Sequence, residues 1–229
     1  MSLSGYGPLL LSGTWMTLQL ALLSLLLSVI IGLIGASSKL SNIKILRFLA
    51  TAYTTLIRSV PDLVIMLLLF YSLQLVLNSI TESLQMDQID INPFVAGVIT
   101  LAFIYGAYFT ETFRGAFQSV PVGQIEAAKA YGMTHWQVFR RVLYPQMMRF
   151  ALPGIGNNWQ VLIKATALVS LIGLTDIVKI TQDVGRTTMQ IFYFSLLAAI
   201  IYLAITTVSN LILYWLERRY SVGVKKGQL

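Results

Sequence analysis

Of the 229 residues, 56% are hydrophobic and only 11% charged, about half the roughly 25% charge of a soluble domain, which excludes water as the main solvent of this chain. The formal charge of +7 is carried by sixteen Lys and Arg that punctuate long apolar runs instead of forming a basic patch, so it marks membrane sidedness and excludes a nucleic-acid partner. With no Cys and one histidine, His135, thiol chemistry, disulfides and a Cys or multi-His metal cage are excluded too.

A bilayer crossing takes roughly 20 apolar residues, and five windows approach that length. The first runs from about Leu9 to Ile34. No charge precedes Lys39, so it lacks the basic leader of a cleaved signal peptide and is expected to stay as a membrane helix. Ile43, Leu46, Ala50, Tyr53 and Ile57 then share one helical face, as in an interfacial helix or an extension of the next span. The second window, Leu63 to Leu77, is short and must borrow flanking residues. The third runs from Phe94 to about Thr110, the fourth from about Leu152 to Leu174, and the fifth from Ile191 to Leu216. The expected fold is all-α, about five transmembrane helices in a single domain spanning 1–229, with no internal repeat or long linker.

Basic residues favour cytoplasmic connections. Lys39, Lys44, Arg47 and Arg58 follow the first span, Arg114, Lys129, Arg140, Arg141 and Arg149 the third, and Arg218, Arg219, Lys225 and Lys226 the fifth. The segment Asn78 to Asn92 has no basic residue and carries Glu82, Asp87 and Asp90; the one after the fourth span holds Lys179 and Arg186. These counts predict an external N-terminus and an internal C-terminus. An odd span number also argues against a self-sufficient carrier of two equal inverted halves.

The connection Arg114 to Phe150 is far longer than a turn requires. Pro121 suits a first helical turn, Gln124 to Tyr131 are good helix formers, and Gly132 supplies a left-handed closing residue. Thr134 and Gln137 have the capping-box spacing of a second helix, and Pro145 biases Tyr144 out of the helix region, predicting that this helix stops there. On loop physics alone this is an amphipathic surface segment or a rigid knob against which a partner can push.

Glu126, Ala127, Ala128, Gly132, Val142 and Pro145 resemble the EAA signature of ABC importer permeases, with Val142 in place of Ile and Tyr144 in place of Leu. The likeness extends through TTLIRSVPDLVIMLLLFY from Thr54, QIDINPFVAGVITLAFIYGAYFTETFRGAFQSVP from Gln88, LPGIGNNWQVLIKATALVSLIGL from Leu152 and LERRYSVGVKK from Leu216. The chain is thereby identified as a member of the polar amino acid permeases, nearest the Q-type permeases of importers for histidine, lysine, arginine and ornithine. The resemblance implies a type I importer permease fold in a bacterial inner membrane. It implies as partners a homologous permease in a heterodimer, a cytoplasmic ATPase dimer and a periplasmic amino-acid-binding protein. It makes residues of about 119–146, among them Glu126, Ala127, Ala128, Gly132 and Pro145, the coupling loop that docks on the ATPase. ATP and Mg would be bound by that subunit, and none of its cofactors by this chain. Many relatives read Lys-Asp-Thr-Ser-Leu where this chain has Lys164, Ala165, Thr166, Ala167 and Leu168, so a carboxylate and a hydroxyl are missing.

Ionisable groups inside spans are site candidates because lipid penalises them. Lys164 falls twelve residues into the fourth window, about 18 Å along a helix, near the expected midplane; it meets a substrate carboxylate, a gating acid or an ion-pair partner on a neighbouring helix. Thr166 and Ser170, four residues apart, line a polar pathway or bond back to their own helix. Asp62 and Glu111 are the acidic candidates for a basic substrate, both expected near the cytoplasmic ends of their spans. For Asp62 the plain alternative is dipole compensation at a helix start, and for Glu111 a local pair with Arg114. Tyr105 and Tyr108 offer rings for a guanidinium or imidazolium, or simply pack. A membrane enzyme is the least supported alternative, since HExxH, GxSxG and a Cys nucleophile are all absent; no GxxxxGK[ST] phosphate loop occurs either.

Overall fold

The computed structural model describes residues 5–220, and its regular elements are all helical. Lys225 and Lys226 lie outside the described residues. Four helices are long and apolar enough to cross a membrane: α1 Gly7–Leu40, α3 Asp62–Ser83, α4 Pro93–Gln118 and α9 Ile191–Tyr220. A fifth crossing is reached if one bent pair of helical segments is counted as a single span. It comprises α6 His135–Val138, a π-helical turn Phe139–Leu143, α7 Tyr144–Ala165 and a 3-10 segment Thr166–Ile172, then bends by 56° into α8 Ile177–Thr187. The remaining helices are α2 Lys44–Ser59 and α5 Val122–Ala130.

The core is built on α4, whose buried face runs from Ala96 to Ala116. Small residues along α1, among them Ser24, Ser28, Gly32 and Gly35, let it lie directly on α4, the close approach that drives helix association where lipid is as apolar as leucine. A Cβ added to Gly35 would stand 2.2 Å from Thr110 Oγ1, and one at Gly106 2.5 Å from Ile31 Cγ2. α7 runs antiparallel to α4: Asn158 donates to the Thr112 hydroxyl at 3.0 Å near one end, and Val169 meets Gly97 near the other. The helices therefore share two ends. Lys39, Arg114 and Arg218 mark a basic end; the α3–α4 connection with Glu82, Asp87 and Asp90 marks an acidic one.

Several boundaries differ from the sequence expectation. The second span borrows from its C-terminal side, so Asn78 to Ser83 are helical. Ile43 to Ile57 forms a separate helix, since Val60 is extended before Pro61. Ala50, Tyr53 and Ile57 of its predicted face turn inward, with Tyr53 donating to the Phe103 carbonyl, while Ile43 and Leu46 stay exposed. The fourth span starts at Tyr144 rather than Leu152, and its α-helix ends at Ala165. The segment holding Lys179 and Arg186 is the amphipathic helix α8, packed on α1 and α9. The expected stop at Pro145 is absent: Tyr144 keeps helical angles of −60° and −49°. Proline lacks an N–H and its ring crowds the carbonyl four residues back. The wider π turn absorbs that misfit, with the Tyr144 N–H bonding the Phe139 carbonyl.

Candidate functional site

The loop is structured as two helices around one glycine. Gly132 has φ +77°, a left-handed conformation that glycine adopts without strain. Thr134 and Gln137 complete both halves of the capping box: the Gln137 N–H donates to the Thr134 hydroxyl at 3.4 Å, and the Thr134 N–H to the Gln137 side chain at 2.9 Å. α5 packs on α6 and the π turn. Glu126 and Ala127 are exposed, whereas Ala128 is buried. Tyr131 and Trp136, at 87% and 67% exposure, add an aromatic surface of the kind enriched at protein interfaces. Neither was singled out from the sequence, where each reads as one more aromatic in an apolar chain. Because Pro145 does not end the helix, α6 continues through the π turn into α7 without a break.

Asp62, Tyr105, Tyr108 and Glu111 are brought together on the α2, α3 and α4 side. Asp62 begins α3 with no side-chain cap, and its Oδ2 accepts the Tyr105 hydroxyl at 2.9 Å. It lies at the first residue of its own span, as expected, yet level with the middle of α4, because α2 intervenes between α1 and α3. The Tyr105 and Tyr108 rings stack with centroids 5.6 Å apart, and the Arg58 guanidinium lies 5.4 Å from the Tyr108 ring centroid. Glu111 makes the expected local pair, Arg114 Nη2 to Glu111 Oε2 at 2.7 Å, and a second salt bridge to Lys39. A cleft of about 450 Å³ opens beside these groups, lined by Lys39, Thr54, Arg58, Tyr108 and Glu111. Its one acid, Glu111, is held by Lys39 and Arg114, and the remaining cation, Arg58, lies over the Tyr108 ring. Lys39 and Arg58 escaped sequence reasoning as site residues because they fall in connections that read as plain positive-inside signals.

Lys164, Thr166 and Ser170 do not join that cleft. Thr166 is buried, donating to the Ile163 carbonyl at 2.7 Å and lying 3.2 Å from the Tyr202 hydroxyl. Ser170 donates to the Ala167 carbonyl at 2.7 Å. Their shared face is lost because the segment is 3-10, where three residues complete a turn and residues four apart point in different directions. Lys164 is exposed, level with the middle of α4 between the Asn158–Thr112 and Val169–Gly97 contacts. Among the described residues it forms no salt bridge, so the expected pair with a neighbouring helix is not made within this chain.

Comparison with known proteins places this architecture. The family described as "Binding-protein-dependent transport system inner membrane component" matches residues 28–222. The chain is 62% identical over 99% of its length to the whole histidine/lysine/arginine/ornithine transport system permease protein HisQ of Salmonella typhimurium. It is 42% identical over 90% of its length to 89% of the nopaline transport system permease protein NocQ of Agrobacterium fabrum. Among solved structures, an amino acid ABC transporter crystallised with histidines aligns with a TM-score of 0.79 at 35% identity, covering 94% of this chain and 96% of that one.

Proposed function

Because the chain belongs to the family of binding-protein-dependent transport system inner membrane components, we propose that it is the permease through which an ATP-driven importer brings basic amino acids, among them histidine, arginine, lysine and ornithine, into the cell. It is a multi-pass inner membrane protein of the amino acid ABC transporter class. On this reading its basic end faces the cytoplasm and its acidic end the periplasm, in line with the positive-inside rule. A homologous permease completes the pathway as a heterodimer, a periplasmic binding protein delivers substrate, and a separate ATPase dimer binds ATP and Mg. The absence of a phosphate-cradling loop from the sequence supports assigning the ATPase site elsewhere.

The observation that carries the mechanism is the unbroken helical path from the exposed knob into the bundle, α6 through the π turn to α7. ATPase closure moves the knob at Glu126 and Ala127. The capping box and the Gly132 turn keep α5 and α6 stiff, and α7 transmits the displacement to the residues beside the pathway. Asp62, Tyr105, Tyr108, Glu111, Lys164, Thr166 and Ser170 are the polar groups that such a motion would carry.

The test is uptake of labelled histidine and arginine by vesicles holding this chain with its partner permease and ATPase, with and without the binding protein. Gly132→Pro imposes φ near −65° where the turn needs +77°; the expected result is loss of uptake with the chain still inserted in the membrane. Unchanged transport would overturn the coupling assignment, and uptake without ATPase or binding protein would favour a stand-alone carrier.

A further inference from the structure

α9 presents two sides of different chemistry. On one, Asn210, Tyr214 and Glu217 lie along a polar seam with α7, whose Asn157, Gln160 and Lys164 follow one another at steps of three and four residues. The Gln160 side-chain nitrogen donates to the Asn210 side-chain oxygen across this seam. On the other, α9 borders a groove of about 600 Å³ with α1 and α7. Leu22 and Leu25 of α1, Ile155 and Trp159 of α7, and Ile212 and Leu216 of α9 are among its walls. The one hydroxyl in the lining, Ser209, donates to the Ile205 carbonyl of its own helix at 2.8 Å, so the walls suit hydrocarbon.

The groove follows α9 from Ala204 to Leu216, about 18 Å of helix. Spread over that length, its volume leaves a cross-section of about 33 Å², less than half that of a helix about 10 Å across. It has room for an acyl chain and too little for a helix of another protein. Beyond Leu216 come aromatic and basic residues of the kind that gather at the membrane–water interface. That end of the groove therefore reaches headgroup level, and the rest lies at acyl-chain depth. Arg219 follows Ile205 and Ile212 at steps of seven residues and so continues the groove face of α9. It is exposed, 5.7 Å from the Trp215 ring centroid, and among the described residues it forms no salt bridge. The neighbouring acid, Glu217, belongs to the seam side of the helix.

We infer that this groove binds an anionic phospholipid, with one acyl chain lying along α9 between α1 and α7 and the phosphate at Arg219. The inference goes beyond the permease reading and needs only that the chain spans a bilayer. Lipid tails are as apolar as leucine, so filling the groove brings no hydrophobic gain; close packing in a preformed slot holds the chain there. Selectivity comes from the headgroup. The Arg219 guanidinium presents paired N–H donors to phosphate oxygens, and its charge favours a lipid of net negative charge over one whose own ammonium offsets the phosphate.

The test places the full chain, assembled with its partner permease and ATPase, in phosphatidylcholine nanodiscs. These carry a small, equal fraction of either phosphatidylglycerol or phosphatidylcholine with a diazirine on one acyl chain. After illumination, mass spectrometry maps the cross-linked peptides. Those holding Leu22, Trp159 and Ile212 are expected to carry about fivefold more phosphatidylglycerol than phosphatidylcholine. Arg219→Gln should bring that ratio close to one and Arg219→Lys keep most of it. Lys44→Gln removes an exposed cation at the same end of the bundle but outside the groove and should leave the ratio unchanged. Equal cross-linking by the two lipids, or an equal loss in Lys44→Gln and Arg219→Gln, would reduce the site to bulk lipid beside a charged surface and overturn the inference. A groove cross-linked by neither lipid, the result expected if side chains of the partner permease fill it, overturns it as well.

Discussion

The cleft between α2 and α4 and the seam between α7 and α9 are both polar inclusions in an apolar bundle, and they are completed in opposite ways. In the cleft Glu111 is held by Lys39 and Arg114, Asp62 accepts a tyrosine hydroxyl, and Arg58 lies over an aromatic ring. Its groups answer one another within a single chain. Along the seam, among the described residues, neither Lys164 nor Glu217 forms a salt bridge, and the Gln160–Asn210 bond joins the two helices. A membrane bundle tolerates ionisable groups that are paired or that face water; the cleft meets that requirement within this chain, and the seam does not.

The comparison breaks most readily at Glu111. Its Lys39 partner is 10% exposed and Glu111 itself 18%, so Glu111→Ala leaves two cations without their acid and should cost about 3 kcal/mol, measured by denaturant titration of the full chain in detergent. Lys39→Met with Glu111→Leu should recover part of that loss, because it removes the more deeply buried cation, while Arg114, whose side chain is 35% exposed, keeps its charge near water. If the double variant is as unstable as the single one, the cleft is not self-sufficient.

Next in size is the α1/α4 contact that holds the cleft in place. Gly106→Leu puts side-chain atoms where Ile31 already stands 2.5 Å from a first carbon, and about 2 kcal/mol should be lost by the same titration. At the knob, Thr134→Ala removes one half of the capping box and should cost about 1 kcal/mol, seen as faster proteolysis of the loop. Smallest is Asn157→Ala on the seam, an exposed site expected to shift stability by no more than about 0.5 kcal/mol in the same titration. A stability loss there equal to that at Glu111 would erase the distinction between the two regions.

Much of the site was legible one element at a time. The capping box and the left-handed glycine were visible because they are short-range geometry, written within four residues of sequence. The Glu111–Arg114 pair belongs to the same class. Lys39 as a second partner for Glu111 was not visible, since it lies 72 residues away and only the packing of α1 on α4 brings them together. The expected stop at Pro145 failed for a related reason: proline removes one hydrogen bond, but a π turn whose flanks are both held by packing accommodates it more readily than a break.

The amino-acid sequence by itself determined that this chain lives in a membrane, crosses it about five times with basic residues at alternate connections, and carries a stiff loop of the importer type. The first two follow from composition and window length, the bend in the loop from local turn chemistry, and its importer type from the motif resemblance. The tertiary structure alone decided that α2 is a separate helix, that Asp62 lies against Tyr105, that the loop runs without a break into α7, and that Thr166 turns inward while Lys164 stays exposed. These depend on which helix faces which, and in a nearly uniform apolar sequence facing is set by where small residues permit close approach and where polar groups find each other across long separations.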